Sequence, residues 1–148
     1  MREIRFRGLR IDGKGWVYGG YFQHTPDEDG VIYYIFDFNE GAVEVITESV
    51  GQFTGLTDKN GKEIYEGDVI KWGMHGGGLG YETWNRYALV EINPDLQFRI
   101  TYYIHFETGE KRPTDNHVFR FGNFAYKETD QFIEIIGNVF ENPYLVKL

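Results

Sequence analysis

Apolar and polar positions alternate along most of this chain with the period of two expected of strands. In residues 2 to 10, Ile4 and Phe6 share one face of an extended segment, and Glu3, Arg5 and Arg7 share the other. Ile11 leads into Asp12-Gly13, a hairpin turn, and Trp16-Val17-Tyr18 returns. Val31 to Phe36 is a nearly unbroken apolar run, the pattern of a strand covered on both faces, and Ala42 to Ile46 reads as a further strand. Tyr87 to Ile92 and Phe98 to Ile104 flank Asn93-Pro94-Asp95 as a hairpin. Residues 107 to 117 are polar and predict a loop or arm. Ile133 to Ile136 predicts a strand, Gly137-Asn138 a turn or bulge, and Val139-Phe140 a short closing strand. No stretch sustains helical periodicity, so little helix is expected.

The densest turn-and-strand pattern lies between Val50 and Trp72, VGQFTGLTDKNGKEIYEGDVIKW. Asn60-Gly61 marks a tight hairpin, because both residues tolerate positive φ. Glu66-Gly67-Asp68 breaks the next short strand before Val69, Ile70 and Trp72 enter a core. A polar turn of this kind delivers the first strand of small SH3-like barrels. The run GQFTGLTDKNGKEIYEGDVIK resembles the hallmark of the YopX family, encoded mainly by bacteriophages and prophages. The resemblance extends to REIRFRGLRIDGKGWVYG near the start and IEIIGNVFENPYLV near the end. It implies a small, β-rich, cytoplasmic phage protein, with oligomerisation as one option, and supplies no catalytic residues. The fold expected is mainly β. An N-terminal β-hairpin subdomain, residues 1–49, packs against a C-terminal SH3-like β-barrel, residues 50–148.

Composition sharpens this picture. Aromatic residues make up 18% of the 148, and 19 Gly accompany only 4 Pro, a balance that favours strands. With no cysteine, disulfides, thiolate metal sites and Cys nucleophiles are excluded. The charged start, Met1-Arg2-Glu3-Ile4-Arg5-Phe6, does not read as a signal peptide, and no apolar run is long enough to span a bilayer. A cytoplasmic protein away from membranes is therefore expected. A net charge of −8 argues against generic nucleic-acid affinity and leaves room for a local basic patch.

Three stretches offer candidate chemistry. Arg5, Arg7 and Arg10 suit phosphate contacts, or, more simply, a solvated strand face whose charges discourage edge pairing. Phe119, Phe121, Phe124 and Tyr126, interleaved with Arg120 and Lys127, suit base stacking, or core and oligomer contacts. The Gly-rich loop of residues 73–86 lacks the ending of a phosphate loop, but holds a candidate ligand set in His75, Tyr81 and Trp84. Asp27-Glu28-Asp29 lacks the ligand spacing of a calcium loop. The four histidines, His24, His75, His105 and His117, show no metal-ligand spacing. No catalytic, metal or cofactor set emerges. The function expected is that of a non-enzymatic accessory protein acting through protein contacts as a homo-oligomer, with a phage or host protein as a possible partner. The alternative is a nucleic-acid-binding module using the arginine patch or the 119–132 aromatic segment.

Overall fold

Turns at glycines and short polar residues fold the alternating segments back on themselves, and the strand registers among the described residues are antiparallel. The computed structural model describes residues 3–26, 30–73, 84–114, 117–123 and 128–146. The chain divides into two units, Met1–Gly55 and Leu56–Leu148.

In the first unit β1 (Phe6–Leu9), β2 (Trp16–His24), β3 (Ile32–Asp37) and β4 (Gly41–Glu44) form a meander. A short 3-10 turn at Thr47–Ser49 then lays β5 (Gly51–Thr57) along the free side of β1. Buried Ser49 fixes this return: its Oγ accepts from the Leu9 N–H at 2.8 Å and donates to the Ile46 carbonyl at 2.5 Å. Beyond β4 the chain curls until Val45 bridges Arg10 at the end of β1. Val17, Ile35 and Val45 are buried inside the curl, with Phe6, Tyr21, Tyr33, Val43 and Val50 packed around them. Directly paired residues share a face, and Phe22↔Tyr34, Gly20↔Phe36 and Phe36↔Ala42 are such pairs. The opposite face of this sheet therefore carries Tyr18, Phe22, Tyr34 and Phe36. Tyr18 is 44% exposed, Phe22 41% and Phe36 54%. The apolar run at Val31 to Phe36 is thus covered on one face, not on both as its pattern suggests.

In the second unit the end of β5 and β6 (Glu63–Tyr65) form the hairpin expected at Asn60-Gly61, where Gly61 sits at φ 78°. Asp58, 1% exposed, organises this turn. Its Oδ1 accepts the N–H groups of Asn60 and Lys62, both at 2.9 Å, and its Oδ2 accepts the Ile135 N–H at 2.9 Å. Asp68 does the same for the next turn, accepting the buried Tyr65 N–H at 2.8 Å while Gly67 takes φ 93°. The two aspartates of the central motif are backbone clamps. From there β7 (Asp68–Trp72), β8 (Trp84–Ile92) and β9 (Leu96–His105) build a meander. Its flanks are β12 (Glu134–Asn138) on β7 and β10 (Lys111–Pro113) on β9, with β11 (Val118–Arg120) also on β9. Ile64, Ile70, Trp72, Ala88, Val90, Phe98, Ile100 and Ile133 form its core. Burying each Ile or Phe contributes about 1.5–3 kcal/mol.

The mainly β expectation holds. The only α-helix among the described residues is the single turn α1 (Thr129–Phe132). No pairing among the described residues joins β10 to β12, so the second sheet is open at those edges and the pairing does not close an SH3-like barrel. Residues 107–117, expected as loop or arm, include β10, an edge strand exposed at all three residues and held by its pairing to Ile104, Tyr103 and Tyr102. The short strand expected at Val139-Phe140 is a turn, because Asn138 Oδ1 accepts the N–H groups of Phe140 and Glu141 at 3.1 and 2.9 Å. The bulge expected beside Gly137 is present between Ile135 and Gly137.

Ion pairs tie neighbouring strands. Arg99 grips Glu91 with Nε to Oε1 at 2.8 Å and Nη2 to Oε2 at 2.9 Å, and Gln97 Nε2 adds a bond to Oε2 at 2.8 Å. The Arg99 hydrogen bonds, then that of Gln97, hold the Glu91 carboxyl below its usual range despite partial burial. The Lys59 ammonium, at 2.8 Å, does the same for Glu134. A carboxyl depressed by folding adds stability that is fully present above its unfolded value and lost as pH falls through its folded value. Thermal stability should therefore decline as pH drops below about 4.3, the ordinary glutamate value. Glu91→Gln should flatten that decline in a melting series across the acid range; an unchanged slope would show that the pair does not couple protonation to folding.

Candidate functional site

Each of the N-terminal arginines is engaged by a ring or a carboxylate of the first unit. The Arg5 guanidinium lies over Phe53, 4.9 Å from the ring centroid, and its Nε is 3.6 Å from Glu3. Arg7 is 6% exposed and stacks on Trp16 at 4.2 Å. Arg10 is forked between Asp12, with Nη2 to Oδ2 at 3.0 Å, and Glu40, with Nη1 to Oε2 at 2.6 Å. The Arg10 hydrogen bonds in turn lower the Asp12 carboxyl.

Of the aromatic segment, Phe119 sits edge-on to Trp72 at 6.0 Å and Phe121 edge-on to Phe98 at 6.3 Å, both packed against the second core. Phe124 and Tyr126 lie outside the described residues, as do Asp27, Glu28, Asp29, His75 and Tyr81. Among the described residues no three His, Asp or Glu are grouped to hold a metal ion, and no helix is long and apolar enough to cross a membrane.

Trp84, at the start of β8, borders an open groove. A groove of about 380 Å³ is lined by Trp84, Arg86, Tyr103, Arg112 and Pro113. The strand register accounts for it. Trp72 pairs with Arg86, Arg86 with Tyr103, and Tyr103 with Arg112, giving one row across β7, β8, β9 and β10 that alternates aromatic ring and guanidinium. The neighbouring row, Ile70–Ala88–Ile100, is fully buried. The core face of the sheet thus runs directly into the groove, exchanging aliphatic side chains for arginines and rings. Trp84 is braced by His105, perpendicular at 4.8 Å, and its ring is covered by the Arg112 guanidinium at 4.3 Å. His105 is itself held by the N–H groups of Glu107 and Thr108, each donating to Nδ1 at 3.2 Å. On the other face, Tyr87 and Tyr102 stack at 4.8 Å, and burial raises both hydroxyl pKa values. A smaller cavity of about 70 Å³ lies among Lys59, Lys71, Trp72, Gly73, Asn85, Phe132 and Glu134.

Sequence reading picked out Trp84 but missed Arg86, Tyr103 and Arg112 as its companions. They are remote in sequence and meet only through register, and the Lys111-Arg112 pair of a polar stretch was the one visible hint.

No curated protein matches this chain. The crystal structure of protein EF1440 from Enterococcus faecalis is similar at 20% identity over 99% of this chain and 100% of that one, with a TM-score of 0.41. The family described as YopX protein matches residues 5–147, nearly the whole length, and the chain belongs to that family.

Proposed function

We propose that this protein is a non-enzymatic accessory protein of phage or mobile-element origin, working in the cytoplasm as a homo-oligomer through the outward aromatic face of its first sheet. The observation that carries this reading is the exposure of Tyr18, Phe22 and Phe36 on one strand face, with Phe22 and Tyr34 stacked at 5.1 Å. Aromatic rings are enriched in protein interfaces, and contiguous apolar patches are uncommon on monomers. A second copy is the occupant that fits. Arg7, paired with Tyr18, and Glu44, paired with Tyr34, border this face with one charge of each sign, so it asks for no partner of a single opposite charge, and a two-fold axis makes such a face complementary to itself. The non-enzymatic part is supported by how the perturbed carboxyls are used: Asp12, Glu91 and Glu134 are each engaged by a neighbouring cation.

Light scattering after size exclusion tests this. The expected mass is a discrete multiple of 17.3 kDa. It should persist or strengthen as salt rises, because screening relieves repulsion between copies of net charge −8. Phe36→Glu should weaken association about tenfold or more by placing a charge in the contact. A monomer at high micromolar concentration under both salt conditions would remove the proposal.

A further inference from the structure

We infer that the groove between Trp84 and Arg112 binds a nucleoside phosphate, either a free nucleotide or a residue of a single strand, by stacking its base and pairing its phosphate with the arginines. This goes beyond the self-association reading and depends on residues of the second unit alone.

Three observations converge. First, the groove has the size for such a ligand, about 380 Å³, within the range of small-molecule sites. Second, its lining carries flat π surfaces beside planar cations, with Arg86, Tyr103 and Arg112 in register across adjacent strands and Trp84 beside them. Neighbouring strands lie about 4.8 Å apart, so the backbones of Arg86 and Arg112 are roughly 10 Å apart on either side of Tyr103. The Arg112 guanidinium, which lies 4.3 Å over Trp84, turns to the phosphate as the base takes its place on the ring. Guanidinium groups match phosphate oxygens in a bidentate fork and also stack on rings, so each arginine serves either part of the ligand. Third, the platform is braced before any ligand arrives: His105 stands against Trp84 and is pinned by two backbone N–H groups. Arg112 pairs with the Glu110 carboxylate at 3.1 Å, with both side chains more than half exposed. Exposed pairs of this kind are weak, and a phosphate displaces the carboxylate readily. The chain's acidity is consistent with a site limited to one or two phosphates rather than a long electrostatic track.

The test uses the full-length protein with AMP, ATP, inorganic phosphate and a short oligothymidylate, followed by calorimetry and tryptophan fluorescence at low and moderate salt. Binding is expected for a mononucleotide or the oligonucleotide, and it should weaken with salt. Trp84→Ala and Arg112→Gln should each reduce affinity about tenfold or more, in line with the loss of one stacked base or one charged contact. Arg112→Gln alters an exposed side chain, so it remains informative if Trp84→Ala fails to fold, and Trp84→Phe should keep most of the affinity. Mononucleotide binding identifies a free nucleotide as the ligand. Binding of the oligonucleotide alone identifies a single strand. Three results would each overturn the inference: no binding of either at low salt, equal binding of inorganic phosphate alone, or full affinity in the Arg112→Gln variant.

Discussion

Asp58→Ala should cost about 3–5 kcal/mol, a large share of the roughly 5–15 kcal/mol that holds a domain folded. The side chain is buried, and its carboxylate is the acceptor for three backbone N–H groups, those of Asn60, Lys62 and Ile135, each at 2.9 Å. Hydrogen bonds to an ionised group contribute about 1.5–3 kcal/mol each, and an N–H left buried without an acceptor carries its own penalty. Water entering the vacated space restores part of this, which keeps the figure below the simple sum. Two of the donors are in the Asn60-Gly61 hairpin and the third is on β12, so one carboxylate joins a local turn to a strand 77 residues away. Melting should drop by roughly 10 °C, at about 3 °C per kcal/mol for a chain of this size. Amide exchange should quicken both around Lys62 and around Ile135. Asp58→Asn keeps one acceptor and turns an amide donor toward the remaining N–H groups, so it should fall between the two. A loss under about 1 kcal/mol for the alanine variant would show that the turn and β12 hold each other without the carboxylate.

That clamp explains why the central stretch is the most readable part of the sequence. Asp-x-Asn-Gly and Glu-Gly-Asp specify their turns through bonds within four residues, so the chemistry is local and the sequence displays it. The strands of the second meander were legible for the same reason, since alternation is a property of neighbours. What was hidden depends on distant partners. Lys111-Arg112-Pro113 shows no alternation and becomes a strand only because β9 offers it an edge. Arg7, read from alternation as a solvent-facing charge, is buried over Trp16, where its aliphatic stem and planar head both find apolar surface. The run Val31 to Phe36 is apolar on both faces, and nothing within it tells a face covered by the same chain from one left open. The groove is the extreme case: Trp72, Arg86, Tyr103 and Arg112 become a row only once three registers are fixed. The family is readable because the turn motifs are local, while the candidate site is not, because pairing creates it.

Gly19→Ala should destabilise the first unit by about 3 kcal/mol or more, while Gly20→Ala next to it should be neutral or slightly stabilising. The two glycines are adjacent on β2 and differ in what surrounds them. A Cβ on Gly19 would lie 1.9 Å from the Phe36 carbonyl oxygen and 2.9 Å from its carbon, both backbone atoms of β3. No rotamer change relieves such a clash, so β2 and β3 would have to separate where the sheet curls around Ile35. A Cβ on Gly20 meets nothing within 4 Å. There the added methyl only narrows the freedom of the unfolded chain, a gain of about 0.4–1 kcal/mol where the backbone already suits alanine. Gly8 obeys the same geometry more gently, since its Cβ would press at 2.9 Å on the Val45 side chain, which can shift in part. The curl thus depends on bare backbone at chosen points: Gly19 lets β3 approach, and Gly8 admits Val45 as the chain returns to Arg10. Chemical unfolding of the two alanine variants, with amide exchange across β2 and β3, separates this account from a general intolerance of β-strand substitutions. Equal effects at positions 19 and 20 would refute it. A large loss at Gly19 alone would place the close approach of β2 and β3 among the constraints that shape the outward aromatic face.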